Sequence, residues 1–174
     1  YELWGRDLAT IDSRGRVQFT EHNTHHHPMC LPYPSPAWAA RYLQAVEGAV
    51  VAGRPDILYM DQLGAVPAHL DFAPDRHGHA HFGEWVRGSA EFVRTVTGAL
   101  LPVRPDLGSF IECPSPALQQ HVHLSYYGTN RVLRYVFPTY YGFVGTVDVV
   151  PPEQALAAAQ EALLTGEPVT IHYV

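Results

Sequence analysis

The chain has 174 residues, of which 47% are hydrophobic and 16% are charged, so it can bury a sizeable core and is predicted to be globular. Its 11 basic residues are all arginines, and 17 acidic residues bring the formal net charge to -6, which leaves no basic surface for a phosphate backbone. Nucleic acid is therefore excluded as an expected partner. A membrane is excluded too, because each apolar run is too short or too interrupted by acids to cross a bilayer.

The first half of the chain is predicted to form a strand, a helix and a second strand. A strand over 16–21 is followed by a loop over 22–36 that holds four histidines and four prolines. The Ser-Pro pair at 35–36 is typical of a helix N-terminus, and Gly53 is predicted to end that helix. The apolar run at 57–60 is too short for a helix and is predicted to be a strand buried on both faces.

The second half of the chain continues the alternation. After a long loop over 62–83, helical spacing resumes over 85–101 until a proline stops the helix. A strand is then predicted to end at Glu112. Further strands are predicted at 124–127, 132–137 and 169–174, with a helix at 152–164 before the last of them. Which of the strands at 124–127 and 132–137 joins the sheet stays open.

Two segments share one pattern, which is an Arg-Pro-Asp turn, a short apolar run and then an acid. The first segment ends at Asp61 and the second at Glu112. The carboxyl ends of parallel strands form one edge of a sheet, where α/β proteins carry their ligand sites, so both acids are expected there. A carboxyl pair at this edge is typical of glycosidases, whereas either acid alone could simply cap a turn or pair with an arginine.

The alternation of helices and strands predicts an α/β fold with parallel strands, outer helices and right-handed crossovers. A complete (β/α)8 barrel needs roughly 250 residues, and this chain offers about five βα units. The chain is therefore either a smaller doubly wound sheet or part of a barrel. Because both informative loops follow strands, we predict that residues 1–174 form a single catalytic-type portion of a TIM-type barrel, incomplete at one or both ends.

Several segments resemble a group of bacterial TIM-barrel glycosidase-like proteins of unassigned specificity. The most specific are Tyr-Met-Asp-Gln at 59–62 and His-Gly-His at 77–79. The resemblance covers most of the chain from about Pro28 onward, and it is extended by Met29, Cys30, Trp38, Trp85, Gly88, the segment 110–112, Pro138 and the segment 140–142. This group is distantly similar to endo-α-N-acetylgalactosaminidases and to α-galactosidase-like glycoside hydrolases.

The resemblance implies a role for each acid. In the enzymes to which the group is similar, an aspartate ending the fourth barrel strand is the nucleophile and a glutamate ending the fifth is the acid/base. By position, Asp61 would be the nucleophile and Glu112 the acid/base. Cleavage of a glycosidic bond needs a carboxylate near the anomeric carbon and a protonated acid at the leaving oxygen, and the apolar neighbours of Glu112 favour its protonated form. We therefore expect a retaining glycosidase that acts on a carbohydrate and needs no cofactor.

Sugars bind against flat aromatic faces and planar polar groups, and the chain has candidates of both kinds. Trp85 is the strongest aromatic candidate, because it heads a predicted helix beside the histidine-rich loop. The predicted substrate contacts are Gln62, His77, His79, Trp85, Tyr59 and Tyr140.

Two other functions stay open. His-x-His pairs at 77–79 and 121–123 make a metal-dependent hydrolase using loop histidines conceivable, although the chain has no HExxH or CxxC pattern and we predict no bound metal. A non-catalytic, carbohydrate-binding barrel fragment is the other alternative. The absence of GxSxG, GxGxxG and GxxxxGK[ST] motifs excludes the usual serine-hydrolase elbow and the usual nucleotide-binding loops.

Overall fold

The computed structural model describes residues 5–21, 28–30, 32–61, 63, 68–112, 115–126, 141–147, 156, 157, 160 and 169–171. The chain divides into two compact units. We call Tyr1–Arg54 together with Pro67–Pro105 the helical unit, and Pro55–Val66 together with Asp106–Val174 the sheet unit. The single barrel portion expected over 1–174 stays a prediction.

The helical unit contains four helices and a short antiparallel strand pair among its described residues. These elements are α1 (Gly5–Leu8), β1 (Phe19–Glu21), β2 (Pro28–Cys30), α2 (Pro36–Gly53), α3 (Pro74–His77) and α4 (Trp85–Leu100). Strand β1 is shorter than the predicted strand over 16–21, because pairing with β2 starts only at Phe19, opposite Cys30. Val17 instead forms an isolated bridge with Ile11.

Helix α2 begins and ends where the sequence predicts. The Trp38 backbone N–H donates to Ser35 Oγ at 3.2 Å, which caps the N-terminus, and Pro36 takes the first helical position. At the other end, Gly53 is the last helical residue, but the left-handed position belongs to Arg54, with φ 45°. A non-glycine residue adopts this conformation at a cost of roughly 1 to 2 kcal/mol.

Helices α2 and α4 pack against each other through aromatic side chains. The Phe92 ring of α4 lies 6.3 Å from the Trp38 ring and 5.4 Å from the Tyr42 ring of α2, measured between centroids. Val93 and Val96 of α4 are fully buried. The buried positions of α4 recur every three or four residues, as the predicted helix over 85–101 requires.

Gly88 on α4 approaches the backbone before α2 so closely that a Cβ atom there would lie 2.8 Å from the Pro34 carbonyl oxygen. We expect Gly88→Ala to lower the free energy of unfolding by about 1 to 3 kcal/mol, because backbone has to move. Gly98 on the same helix has open space around it, so Gly98→Ala should raise stability by about 0.5 to 1 kcal/mol. Urea denaturation of the two variants measures both effects. A change of the same sign in both would contradict this account of Gly88.

Burial raises the pKa of the Tyr42 hydroxyl above its usual value. The folded state therefore holds this proton more tightly than the unfolded state does. That contribution to stability is complete below about pH 10 and is lost as the pH rises further. We expect Tyr42→Phe to lose less stability than the wild type between about pH 9 and about pH 11, as measured by denaturation midpoints. If the wild type and Tyr42→Phe lost equal stability over this pH range, the Tyr42 hydroxyl would have no role in the pH dependence.

The sheet unit contains a five-stranded sheet in which every neighbouring pair is parallel. Along the chain, a short helix, α5 (Pro116–Gln119), lies between the second and third strands of this sheet. The predicted α/β class with parallel strands is thus confirmed. In spatial order the strands are β3 (Ile57–Met60), β4 (Gly108–Glu112), β5 (Leu124–Tyr126), β6 (Tyr141–Val147) and β7 (Val169–Ile171).

The later strands agree only in part with the sequence analysis. The candidate at 124–127 joins the sheet as β5, and the candidate at 169–174 is present as the shorter β7. Strand β6 was not predicted, because its two glycines weaken the pattern that indicates a strand. The candidate strand at 132–137 and most of the candidate helix at 152–164 lie outside the described residues.

Strand β3 is not buried on both faces, contrary to the prediction. Ile57 and Tyr59 are 46% and 42% exposed, whereas Met60 is 3% exposed. The reason is that β3 is an edge strand of the described sheet, with side chains that alternate between an open and a covered face. Within the described part of the chain, no helix has the length and apolar character needed to span a membrane.

Candidate functional site

The two acids singled out by the sequence lie side by side in the sheet unit. Asp61 directly follows β3, and Glu112 is the last residue of β4. Met60 pairs with Ile111 in the parallel register, so the next residue of each strand lies at the same carboxyl edge. The arrangement predicted from the repeated turn, run and acid pattern is therefore present.

The Tyr59 hydroxyl interacts with both acids. Its Oη donates a hydrogen bond to Asp61 Oδ1 at 2.9 Å, and the charge of Glu112 also acts on it. Burial, the hydrogen bond to Asp61 and the charge of Glu112 raise the pKa of Tyr59 well above its usual range. We call Tyr59, Asp61 and Glu112 the acid edge.

The two carboxyls of the acid edge have different surroundings. Asp61 is exposed, whereas Glu112 is 8% exposed. The ring of Phe110 on β4 lies against the ring of Tyr59, with centroids 4.7 Å apart and an interplanar angle of 29°. The acid edge therefore combines an open carboxylate, a sheltered carboxyl group and an aromatic surface on one face of the sheet. Of the other predicted contacts, Gln62 and Tyr140 lie outside the described residues.

A second polar constellation lies in the helical unit. Asp71, His77 and His79 are all buried, and we call them the Asp-His-His cluster. The Asp71 carboxylate has His77 Nδ1 and His79 Nε2 at 2.6 Å, both on its Oδ2 atom, and its Oδ1 accepts the Ile11 backbone N–H at 2.7 Å. One carboxylate thus joins the histidine loop to the N-terminal segment.

The pKa of Asp71 reflects two opposing effects. Burial by itself would raise the pKa of this carboxyl group. Hydrogen bonds from His77, from the Ile11 N–H and from His79 outweigh burial, so that the pKa lies below its ordinary value. Asp71 is therefore a carboxylate kept ionised in the interior of the helical unit.

Aromatic rings surround the Asp-His-His cluster. The Tyr33 ring stacks on His77 with centroids 5.3 Å apart and also contacts His79 at 4.5 Å. Burial, together with the charges of Glu84 and Asp71, raises the pKa of Tyr33 to about 12. Gly78 and both histidines line a pocket of about 380 Å³ within the same unit, as do Tyr33 and several residues of α4.

The three predicted sugar-contacting residues of the helical unit have buried side chains. His77 and His79 point into the Asp-His-His cluster. Trp85, the first residue of α4, is 6% exposed, and its indole meets the rings of Tyr33 and His69 edge-on. Contact of these three side chains with a sugar stays a prediction.

Sequence reasoning missed Asp71 and Tyr33. Asp71 lies six residues before His77, which is not a recognised spacing of metal ligands, and its other partner, Ile11, lies sixty residues earlier in the chain. The sequence offered one signal, the His-x-His spacing of His77 and His79. That signal identified the two histidines but not the acid that binds them.

No protein-family model matches this chain, and no curated protein matches it. Among solved structures, an α-galactosidase from Thermus thermophilus in complex with stachyose is similar, with a TM-score of 0.61 and 11% sequence identity. The similarity covers 98% of this chain and 42% of that chain, so this chain spans less than half the length of the α-galactosidase. At this identity the similarity shows the fold alone. The chain therefore has a glycosidase-like α/β fold, and no family is assigned.

Proposed function

We propose that the chain is the acid-bearing part of a retaining glycoside hydrolase, and that its parallel sheet is a portion of a (β/α)8 barrel. The observation that carries this proposal is the acid edge, where Asp61 and Glu112 lie at the carboxyl ends of two neighbouring parallel strands and Tyr59 donates a hydrogen bond to Asp61. The fold shared with an α-galactosidase supports the same class of reaction. The expected ligand is a carbohydrate.

The placement of the two acids supports retention over inversion. Retaining glycosidases have their two carboxyl groups roughly 5 to 5.5 Å apart, whereas inverting enzymes leave about 6.5 to 9.5 Å for a water molecule. Asp61 and Glu112 each follow a residue of the pair Met60 and Ile111, and neighbouring strands lie about 4.8 Å apart. This strand spacing supports the shorter separation and direct attack by one carboxylate.

The exposure of the two acids and the hydrogen bond from Tyr59 support one assignment of roles. Asp61 is exposed and its Oδ1 accepts the hydrogen bond from Tyr59. Glu112 is 8% exposed at the end of β4. We infer that Asp61 is the carboxylate that attacks the anomeric carbon and that Glu112 gives its proton to the leaving oxygen. In the second step, Glu112 takes a proton from the water that releases the sugar from Asp61.

A mechanism-based fluoroglycoside inactivator tests this proposal, because it traps the covalent intermediate of a retaining enzyme. After digestion, mass spectrometry should find the sugar attached to the peptide that contains Asp61. Proton magnetic resonance of an aryl glycoside reaction should show that the first product keeps the anomeric configuration of the substrate. An inverted first product would exclude the retaining mechanism, and a label on another carboxyl would exclude the role of Asp61.

Tyr59→Phe tests the link between the acids. The variant keeps the ring against Phe110 but loses the hydroxyl, so folding should be unchanged. We expect kcat to fall about 10- to 100-fold, the equivalent of one hydrogen bond to a charged group. We also expect the pH profile of kcat/KM to shift, because Asp61 loses a hydrogen bond beside the charge of Glu112. A profile identical to that of the wild type would show that Tyr59 does not set their protonation.

A further inference from the structure

We propose that Asp71, His77 and His79 bind one divalent transition-metal ion, with Zn²⁺ as the best-suited ion. This site is separate from the acid edge and does not depend on the proposed glycosidase activity. Each of the three residues offers one ligand atom, and these atoms all lie within 4.8 Å of one another. All three residues are buried, so a surface patch of acids is not the explanation.

His77 lies between two oxygen atoms. Its Nδ1 faces Asp71 Oδ2 at 2.6 Å, and its Nε2 faces the Asp7 carbonyl oxygen at 3.2 Å. An imidazole can donate one ring N–H to a carbonyl while the other ring nitrogen binds a metal ion. With the Nε2 side directed at Asp7, Nδ1 is the His77 atom placed to bind an ion beside Asp71 Oδ2.

The surroundings of the cluster match those of a metal site. Ligating histidines commonly donate the second ring N–H to a backbone carbonyl, and the Asp7 carbonyl oxygen lies 3.2 Å from His77 Nε2, in the place for such a bond. Ligating carboxylates are commonly held by a hydrogen bond at the other oxygen, and the Ile11 N–H donates to Asp71 Oδ1. His77 Nδ1 and His79 Nε2 both contact the same oxygen, Asp71 Oδ2, so the three ligand atoms form one compact group.

The chemistry of the donors selects the ion. Two imidazole nitrogens and one carboxylate oxygen suit Zn²⁺ and similar late first-row ions, whereas Mg²⁺ and Ca²⁺ prefer oxygen donors. Bonds of about 2.0 to 2.2 Å would spread the donors to about 3.3 Å from one another, a small expansion of the present contacts. His77 and His79 also line the pocket of about 380 Å³ in the same unit.

The site would tie together parts of the helical unit that are distant in sequence. Asp71, His77 and His79 belong to the loop before α4, and their hydrogen bonds run to Asp7 and Ile11 near the N-terminus. An ion bound here would therefore fasten the loop to the N-terminal segment. The expected role is structural, since all three ligands are buried.

The test is binding of Zn²⁺ to the purified protein after treatment with chelator. Calorimetry should show one ion per chain with a dissociation constant of about 1 μM or tighter. His79→Gln and Asp71→Asn should each weaken binding at least about tenfold. His81→Gln is the matched control, because His81 is an exposed histidine of the same loop outside the cluster, and its affinity should be unchanged. Joint replacement of His25, His26 and His27 by glutamine should also leave the affinity unchanged.

X-ray absorption of the zinc-loaded wild type gives a result that does not depend on how a variant folds. We expect a shell of nitrogen and oxygen only, with two imidazoles. A sulfur ligand would point to Cys30 or Cys113 and overturn the proposal. Absence of stoichiometric binding by the wild type would overturn it too and leave hydrogen bonds within the cluster as the only role of these residues. Unchanged affinity in His79→Gln would do the same.

Discussion

Asp61→Asn is expected to lower turnover of a glycoside about 10⁴-fold while leaving sugar binding nearly intact. The amide has the same shape and can still accept the Tyr59 hydrogen bond through its oxygen, but it cannot attack the anomeric carbon. Kinetics on an aryl glycoside, together with calorimetric titration of the product sugar, measure the two effects separately. A carbohydrate-binding protein without catalysis would change only in affinity.

Two controls sharpen this prediction. Asp56→Asn alters an exposed acid just before the start of β3, at the opposite end of the strand from Asp61, and should leave turnover unchanged. Glu112→Gln should slow substrates with poor leaving groups by about 10² to 10⁴-fold but affect activated aryl glycosides far less, since their leaving group needs no proton. An Asp61→Asn variant that keeps full turnover would exclude a nucleophilic role for this residue.

Asp71→Asn is expected to lower the free energy of unfolding of the metal-free helical unit by about 3 to 5 kcal/mol. Asp71 is completely buried, and its carboxylate bonds to the Ile11 N–H and to both histidines of the cluster. The asparagine side chain carries no charge. Toward the imidazoles it presents either an NH₂ group or a carbonyl oxygen, which is a weaker acceptor than a carboxylate. Urea denaturation in the presence of chelator, followed by tryptophan fluorescence, measures the loss.

Asp75→Asn is the matched control for this experiment. Asp75 is exposed in the first turn of α3, four residues from Asp71, and its replacement should change stability by less than about 0.5 kcal/mol. Equal losses in the two variants would contradict the special role of Asp71. A loss confined to Asp71→Asn would establish that the cluster organises the helical unit even without metal.

Local signals predicted much of the fold. The Ser-Pro start of α2 depends on a cap between Ser35 and Trp38, three residues apart, and such contacts can be read from neighbouring letters. The Arg-Pro-Asp turns before β3 and β4 located two strands that pair in parallel. Strand β6 was not predicted, because its glycines weaken the sequence pattern that indicates a strand. Only the assembled sheet shows that the backbone pairs there.

The acid edge was also predictable in outline. Asp61 and Glu112 end equivalent strands, so parallel pairing alone brings them together. The hydrogen bond from Tyr59 to Asp61 follows from strand geometry, since residues two apart point to the same face. That Ile57 and Tyr59 remain open to solvent could not be predicted, because exposure depends on which strands lie beyond β3.

By itself, the sequence determined where α2 begins and ends, where β3 and β4 lie, the parallel α/β class of the sheet, and which two acids share an edge. These properties depend on residues close together in the chain or on the simple period of a strand. Only the tertiary structure decided that Asp71 gathers His77, His79 and the Ile11 N–H around one buried carboxylate. Partners separated by sixty residues meet through packing of the whole unit, and no local pattern encodes that meeting.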